Sequence, residues 1–247
     1  MKQLDDAVLG VLSRCRVDGD KVFLPEQLDR QMYLNVNKAL DAIGGKWDRR
    51  EKAHLFPHPI DVEFSQMLLT GVMPKRNELS FFATPLGVGS SLVEMVADVA
   101  PGWADGVVSE PSAGVGHLVK VIIGAGVDAE RIDAMEIDAF RWGLLTEVLP
   151  HARQGDFLAY KPAQRYSAVI CNPPFNTPGM SNAWVDHVNR AAELGDVVGA
   201  IVPRSIEFGS GKIAKLRARC VAMRDLPDGA FAESGTLVKT SMIVVQG

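Results

Sequence analysis

Cysteine is scarce. There are three residues, Cys15, Cys171 and Cys220, an odd number set far apart. This argues against a disulfide framework and offers no CxxC pair for a metal, so the thiols read as reduced and mostly buried. His54 and His58 stand four apart, but Pro57 lies between them in a non-helical stretch and no further ligand is near, so no metal is expected. Long apolar runs are missing too: none reaches the roughly 18 to 20 residues that a membrane span needs. The opening MKQLDDAVLG lacks the basic-then-apolar order of a signal peptide, which makes the cytoplasm the expected location. Positive charge is also in deficit, with 26 Lys and Arg against 30 Asp and Glu for a net −4. A chain of that balance does not coat nucleic acid by bulk electrostatics, so any phosphate contact must come from a local cluster.

What is present is a globular composition, 47% hydrophobic over 247 residues, enough for one large core and a small appendage. Residues 1–78 have their own texture. Leu28, Met32, Val36, Leu40 and Ile43 fall on one helical face after Leu24-Pro25, and Gly44-Gly45 stops the run, which predicts a helix of about eighteen residues. Val22-Phe23-Leu24 and Ala53-His54-Leu55-Phe56 read as short strands, giving a small α+β module. Within it, Lys46, Trp47, Arg49 and Arg50 combine an aromatic face with cationic side chains beside Gly44-Gly45, a candidate nucleic-acid contact. GVMPKRNELS (71–80) reads as a linker.

From residue 79 onward, helices and short apolar strands alternate, which predicts a parallel sheet covered on both faces. Val221 to Leu226 and Leu237 to Val245 read as two strands with no helix between them, so an antiparallel hairpin is expected at one edge. The expected fold is α/β: a doubly wound, seven-stranded, mostly parallel sheet with that hairpin and the N-terminal module.

Three strings carry chemistry. Glu110-Pro111-Ser112-Ala113-Gly114-Val115-Gly116 sits where a strand turns into a helix; glycines there let a ligand approach the backbone and the helix start offers amides. Glu136 ends the next strand, where such folds place an acid for ribose hydroxyls. The turn lacks the third glycine of a dinucleotide site, and Glu110 would repel a phosphate but suit a cationic ligand such as a sulfonium amino acid. Asn172-Pro173-Pro174-Phe175 follows the apolar strand Ala168 to Cys171, at the edge where ligands bind in open α/β sheets. Its prolines stiffen the loop and remove two donors, leaving the Asn172 side chain and the Pro173 carbonyl as acceptors suited to an amino group.

In motif order and content the chain resembles the class I S-adenosylmethionine-dependent amino-methyltransferases, particularly the gamma-type DNA adenine methyltransferases. Phe82-Ala83-Thr84-Pro85 is similar to the motif that wraps the cofactor's methionine end, Glu110 to Gly116 to the glycine-rich turn, and Gly155-Asp156-Phe157 to the motif whose acid meets the cofactor's adenine. Asn172 to Phe175 is similar to the catalytic motif, and Phe231 to Thr240 to the late loop that holds the target base. The resemblance covers about residues 81–245 and leaves the N-terminal module without a family. It implies S-adenosyl-L-methionine as cofactor, held by Thr84, Pro85, Glu110, Ser112, Gly114, Gly116, Glu136, Ile137, Asp156 and Phe157. It implies methylation of the N6 amino group of adenine, with DNA favoured over RNA as partner, no metal, and Asn172, Pro173, Pro174 and Phe175 as the catalytic group.

Delocalisation into the ring makes that amino nitrogen a poor nucleophile. Acceptors on its two hydrogens let it pyramidalise for in-line transfer, so catalysis is positioning and electrostatics. Phe175 is expected to offer its ring to a base turned out of the stack. RNA base methylation, glutamine methylation of a protein and a silent binding module are the competing readings; Phe175 stands where the glutamine enzymes typically carry Tyr. The short stretch after Thr240 and the short loop after Phe175 predict relaxed sequence selectivity.

Overall fold

In a computed structural model, residues 2–56, 60–73, 83–177, 179–231 and 238–247 are described. His58, Phe82, residues 74–80 of the expected linker and most of the Phe231 to Thr240 loop therefore lie outside the described residues. The chain divides into two compact units, residues 1–78 and 79–247.

The first unit contains a four-stranded antiparallel sheet in the order Arg16–Asp18, Lys21–Phe23, Ala53–Leu55, Lys46–Asp48. Helix Arg30–Ala42 buries Val36, Ala39 and Leu40 and packs against helix Asp6–Leu12. It has 13 residues rather than the expected eighteen. Its start is set by Asp29, whose carboxylate accepts the Met32 amide at 3.0 Å, so Leu28 precedes the cap. Helix Asp61–Thr70 and the pairing of Lys2–Gln3 with Val72–Met73 had no signal in the periodicity. That pairing places the first residues of the expected linker in a strand.

The second unit is built on β1 (Val108–Glu110), β2 (Ile132–Glu136), β3 (Arg153–Gln154), β4 (Ala168–Cys171), β5 (Val197–Pro203), β6 (Cys220–Asp225) and β7 (Thr240–Gln246). Their order across the sheet is 3-2-1-4-5-7-6. The neighbours from β3 to β5 are parallel, and β7 runs antiparallel to both β5 and β6. The expected seven-stranded sheet and terminal hairpin are thus present.

Side-chain alternation along the strands divides the core into two layers. Ala168 and Ile170 of β4, Val197 and Ile201 of β5 and Met242 and Val244 of β7 face one layer. There they meet Leu92 and Val96 of α1 (Leu86–Val99), Leu118 and Ile122 of α2 (His117–Gly124) and Leu145 of α3 (Ala139–Val148). Val169, Cys171, Val198, Ala200, Val202, Ile243 and Val245 face the other layer, with Trp184 and Val188 of α4 (Ala183–Leu194) and Leu216 of α5 (Lys212–Arg217). Near-continuous apolar strands follow from burial on both faces. At Gly199 of β5 a Cβ would collide with the Val96 side chain, so this glycine lets α1 lie close on the sheet.

Candidate active site

Strand order reverses between β1 and β4, which opens a crevice beyond their carboxyl ends. A cavity of about 260 Å³ lies there. Of the site residues read from the sequence, Thr84, Glu110, Ser112, Glu136, Ile137, Asp156, Phe157, Asn172 and Pro174 line it.

The glycine-rich turn takes shape through Gly114 and Gly116, at φ 57° and 90°, backbone that side chains other than hydrogen strain to adopt. A Cβ on Gly116 would also press on Leu145 and Val148 at 3.2 Å, so this glycine seats α2 against α3. Neither glycine lines the cavity; they shape the turn and leave Ser112 and Ala113 at the wall.

Glu136, 5% exposed, closes the turn from the next strand. Its Oε2 accepts the Gly114 amide at 2.9 Å, and its Oε1 accepts the Asp138 amide at 2.8 Å and the Arg141 guanidinium at 3.2 Å. The side chain of Arg141 is 13% exposed, making this a largely desolvated ion pair. Asp138 caps α3 through the amides of Phe140 and Arg141. The expected ribose acid is therefore also the tie between turn and helix.

Glu110 is fully buried, and its Oε2 has no hydrogen-bond partner among the described residues. Burial raises its pKa well above the carboxylate range; the Ser112 amide, 3.3 Å from Oε1, opposes this, and the charge of Glu136 adds to it. A buried acid with an unsatisfied oxygen among the described residues thus lines the cavity. Ile137, 51% exposed, and the half-buried Leu158 supply apolar wall.

Asn172 leaves β4 with its side-chain amide donating to the Thr84 hydroxyl at 3.1 Å, and Thr84 is 7% exposed. That bond fixes the orientation of the amide plane at the cavity rim. The loop beyond is pinned by Asn176, whose Oδ1 accepts the Asn182 amide at 2.9 Å, and by paired backbone bonds between Thr177 and Met180. Pro85 and Pro173 stand back from the wall. Phe175 differs from expectation: it is 6% exposed, packs in the core layer with Phe157 and Trp184, and does not line the cavity. Its apolar bulk is worth more against the β4 to α4 face than in water.

His117, Arg141, Thr177, Met180 and His187 also line the cavity and were not foreseen. His187 Nδ1 lies 2.9 Å from the Ala183 carbonyl and so carries a proton, which leaves Nε2 the acceptor of the neutral ring. Burial lowers its pKa and favours that neutral form. Only the position of His187 on the cavity-facing side of α4 marks it, and periodicity alone does not separate that side from core.

Lys46, Arg49 and Arg50 are exposed in the first unit, and Trp47 is 39% exposed on an edge strand. Among the described residues no cluster of His, Cys, Asp and Glu is arranged to hold a metal. No helix among them is long and apolar enough to cross a membrane.

Sheet order, the antiparallel seventh strand and the crevice at the β1 to β4 reversal define the class I methyltransferase fold. No protein-family model matches the sequence, and no curated protein matches it significantly. Among solved structures, a Pyrococcus horikoshii protein assigned as an RNA methyltransferase is similar with a TM-score of 0.55 and 19% identity, over 75% of this chain and 97% of that one. A type I restriction-modification methyltransferase subunit from Streptococcus thermophilus is similar with a TM-score of 0.56 and 15% identity, over 67% of this chain. A modification subunit assigned to a type I restriction enzyme of Vibrio vulnificus gives 0.52 and 17% over 68% of this chain. The match spans 44% of each of these two longer subunits. At these identities the likeness is one of fold.

Proposed function

We propose that this chain transfers a methyl group from S-adenosyl-L-methionine to the N6 amino group of adenine in DNA. The observation that carries the reading is the Asn172 amide, held by Thr84 at the end of β4 and followed by two prolines. The cofactor supplies an electrophilic methyl on a sulfonium when bound. Two features support the fit: the buried, unsatisfied Glu110 oxygen suits the positive end of a sulfonium amino acid, and Glu136, which also lines the cavity, would take the ribose hydroxyls. Asp156 and Ile137 line the same cavity and would meet the adenine end.

In this reading the Asn172 side chain, at the cavity wall, accepts one hydrogen of the target amino group, and the Pro173 carbonyl takes the other only if the target reaches past the wall to it, turning the nitrogen lone pair toward the methyl. With Phe175 in the core, the apolar surface beside Asn172 comes from Pro174 and Met180, which is 40% exposed. Among the described residues the short loop between Asn176 and Asn182 carries no helix that could enter a major groove, which supports a relaxed sequence preference. The type I subunits named above bring restriction-modification DNA methylation into view. A second reading, adenine in RNA, draws on the Pyrococcus horikoshii likeness, which spans nearly that whole protein.

Incubation of the purified chain with labelled cofactor and separate DNA, RNA and protein substrates, followed by nucleoside mass spectrometry, tests both. N6-methyladenine from DNA is the expected product. Label confined to RNA selects the second reading, and label only in protein refutes both. Sequencing the treated DNA for methylated adenines tests selectivity: confinement to one site of several defined bases refutes the relaxed preference.

A further inference from the structure

In the first unit a hairpin joins Lys46–Asp48 to Ala53–Leu55. Its loop is set by Asp48, whose carboxylate accepts the amides of Arg50 at 2.7 Å and Glu51 at 3.0 Å. Lys52 completes the turn at φ 52°. Glu51 is drawn to Lys21 at 2.8 Å. Both acids of the hairpin are thus committed inside the unit. Its cations are not: Lys46, Arg49, Arg50 and Lys52 are exposed, and none has an ion-pair partner among the described residues. Nearby, Arg14 and Arg16 are matched by Glu26 and Asp18. Four unmatched cations on ten residues, in a chain of net charge −4, form a locally cationic surface.

Trp47 gives that surface a second property. Lys46–Asp48 is an edge strand, so the indole stands at an open rim of the sheet. It is 39% exposed, yet held by edge contacts to His54 at 5.1 Å and Tyr33 at 6.3 Å between ring centroids. An aromatic ring fixed by its neighbours and wetted on one side is a stacking platform for a flat, uncharged ring. The pairing of repeated negative charge with flat rings is the chemistry of a polynucleotide, and a base has an open face only where the strand is unpaired.

We infer that this hairpin grips an unpaired nucleic-acid strand, with phosphodiesters on Arg49, Arg50 and Lys52 and a base stacked on Trp47. DNA and RNA share that chemistry. Fluorescence anisotropy of labelled oligo(dT), oligo(U) and a duplex of equal length, titrated with the full chain across a salt series and without cofactor, tests it. Single strands are expected to bind more tightly than duplex, and the stronger of the two identifies the source. Reversing Arg49 and Arg50 together to Glu is expected to reduce the slope of log affinity against log salt by about 1.4, near 0.7 for each lost phosphate contact. Trp47→Leu is expected to weaken binding about ten-fold at unchanged slope. Trp47→Tyr, which keeps an aromatic face, is expected to recover most of that loss. An unaltered slope in the charge variant overturns the inference, as does tighter binding of duplex. Should Trp47→Leu fail to fold, the charge variant decides. No methyl transfer is measured, so failure here leaves the proposed activity standing, and an inactive enzyme leaves this inference standing.

Discussion

The Asn172 amide donates to the Thr84 hydroxyl across 88 residues of sequence, tying the loop after β4 to the residues that open α1. The bond decides which end of the amide meets a target. Asn172→Ala is expected to remove most methyl transfer while leaving affinity for S-adenosyl-L-homocysteine within a few-fold, because the side chain acts on the target. Thr84→Val keeps the shape and loses the bond, and a penalty of about 1 kcal/mol, or several-fold in turnover, is expected. Single-turnover assays beside calorimetry separate the effects. Wild-type turnover in Asn172→Ala would sink the assignment.

Glu136 and Asp156 were expected alike as cofactor acids, and their surroundings now distinguish them. Removing Glu136 strips the Gly114 amide of its acceptor and Arg141 of its carboxylate, so Glu136→Ala is expected to lower stability by about 3 kcal/mol as well as weaken cofactor binding. Asp156 is exposed, and among the described residues its carboxylate accepts the Leu158 amide two residues on. Asp156→Ala is expected to weaken cofactor binding by about 1 to 3 kcal/mol with little change in melting temperature. Thermal denaturation paired with calorimetry checks both, and equal melting temperatures for the two variants would contradict the structural role of Glu136.

These residues also mark what was legible in the sequence. In the second unit the apolar run Ala168 to Cys171 coincides with β4, and the expected strand Val221 to Leu226 lies one residue from β6. Thr84, Ser112, Glu136, Asp156 and Asn172, from five separate strings, line one cavity, as open α/β sheets gather loops at the strand ends, while most of the Phe231 to Thr240 loop lies outside the described residues. Tertiary choices were less visible. Phe175 has the same sequence signature whether its ring faces a ligand or the core, and Arg141 looks like any surface cation of α3 until Glu136 is placed beside it. In the first unit, strands of three residues such as Arg16–Asp18 and Lys46–Asp48 are too short to show a period of two and are fixed by pairing.

His54 gives the first unit a pH dependence. The residue is fully buried, its Nε2 meets Asn37 Oδ1 at 2.9 Å, its Nδ1 has no partner among the described residues, and burial lowers its pKa to about 4. An unfolded chain takes up this proton near pH 6.5, so between there and about 4 the unfolded state binds more protons and stability falls as pH falls. The loss is on the order of 3 kcal/mol once complete, and none of it is felt above the unfolded value. Urea denaturation followed by tryptophan emission at several pH values measures it. His54→Gln is expected to flatten the dependence; a slope unchanged by that substitution would place its origin elsewhere.

Glu110 couples the cavity to protons in the opposite sense. Its raised pKa means that the folded state holds a proton that an unfolded glutamate releases, so this residue costs stability increasingly as pH rises from the ordinary glutamate range through its raised value. Glu110→Gln removes that cost and is expected to stabilise the ligand-free protein toward alkaline pH. A cation entering the cavity favours the ionised acid, so binding of S-adenosyl-L-methionine is expected to expel a proton and to tighten as pH rises, levelling off above the ligand-free pKa. Calorimetry in two buffers of different ionisation enthalpy reads the expelled proton directly. S-adenosyl-L-homocysteine, which keeps the ammonium and lacks the sulfonium, tells which charge Glu110 answers: an equal release points to the ammonium, a smaller one to the sulfonium. Glu110→Gln is expected to abolish the buffer dependence with either ligand. A wild-type binding enthalpy that does not vary with buffer would mean that Glu110 keeps its proton and bonds the ligand as a neutral acid.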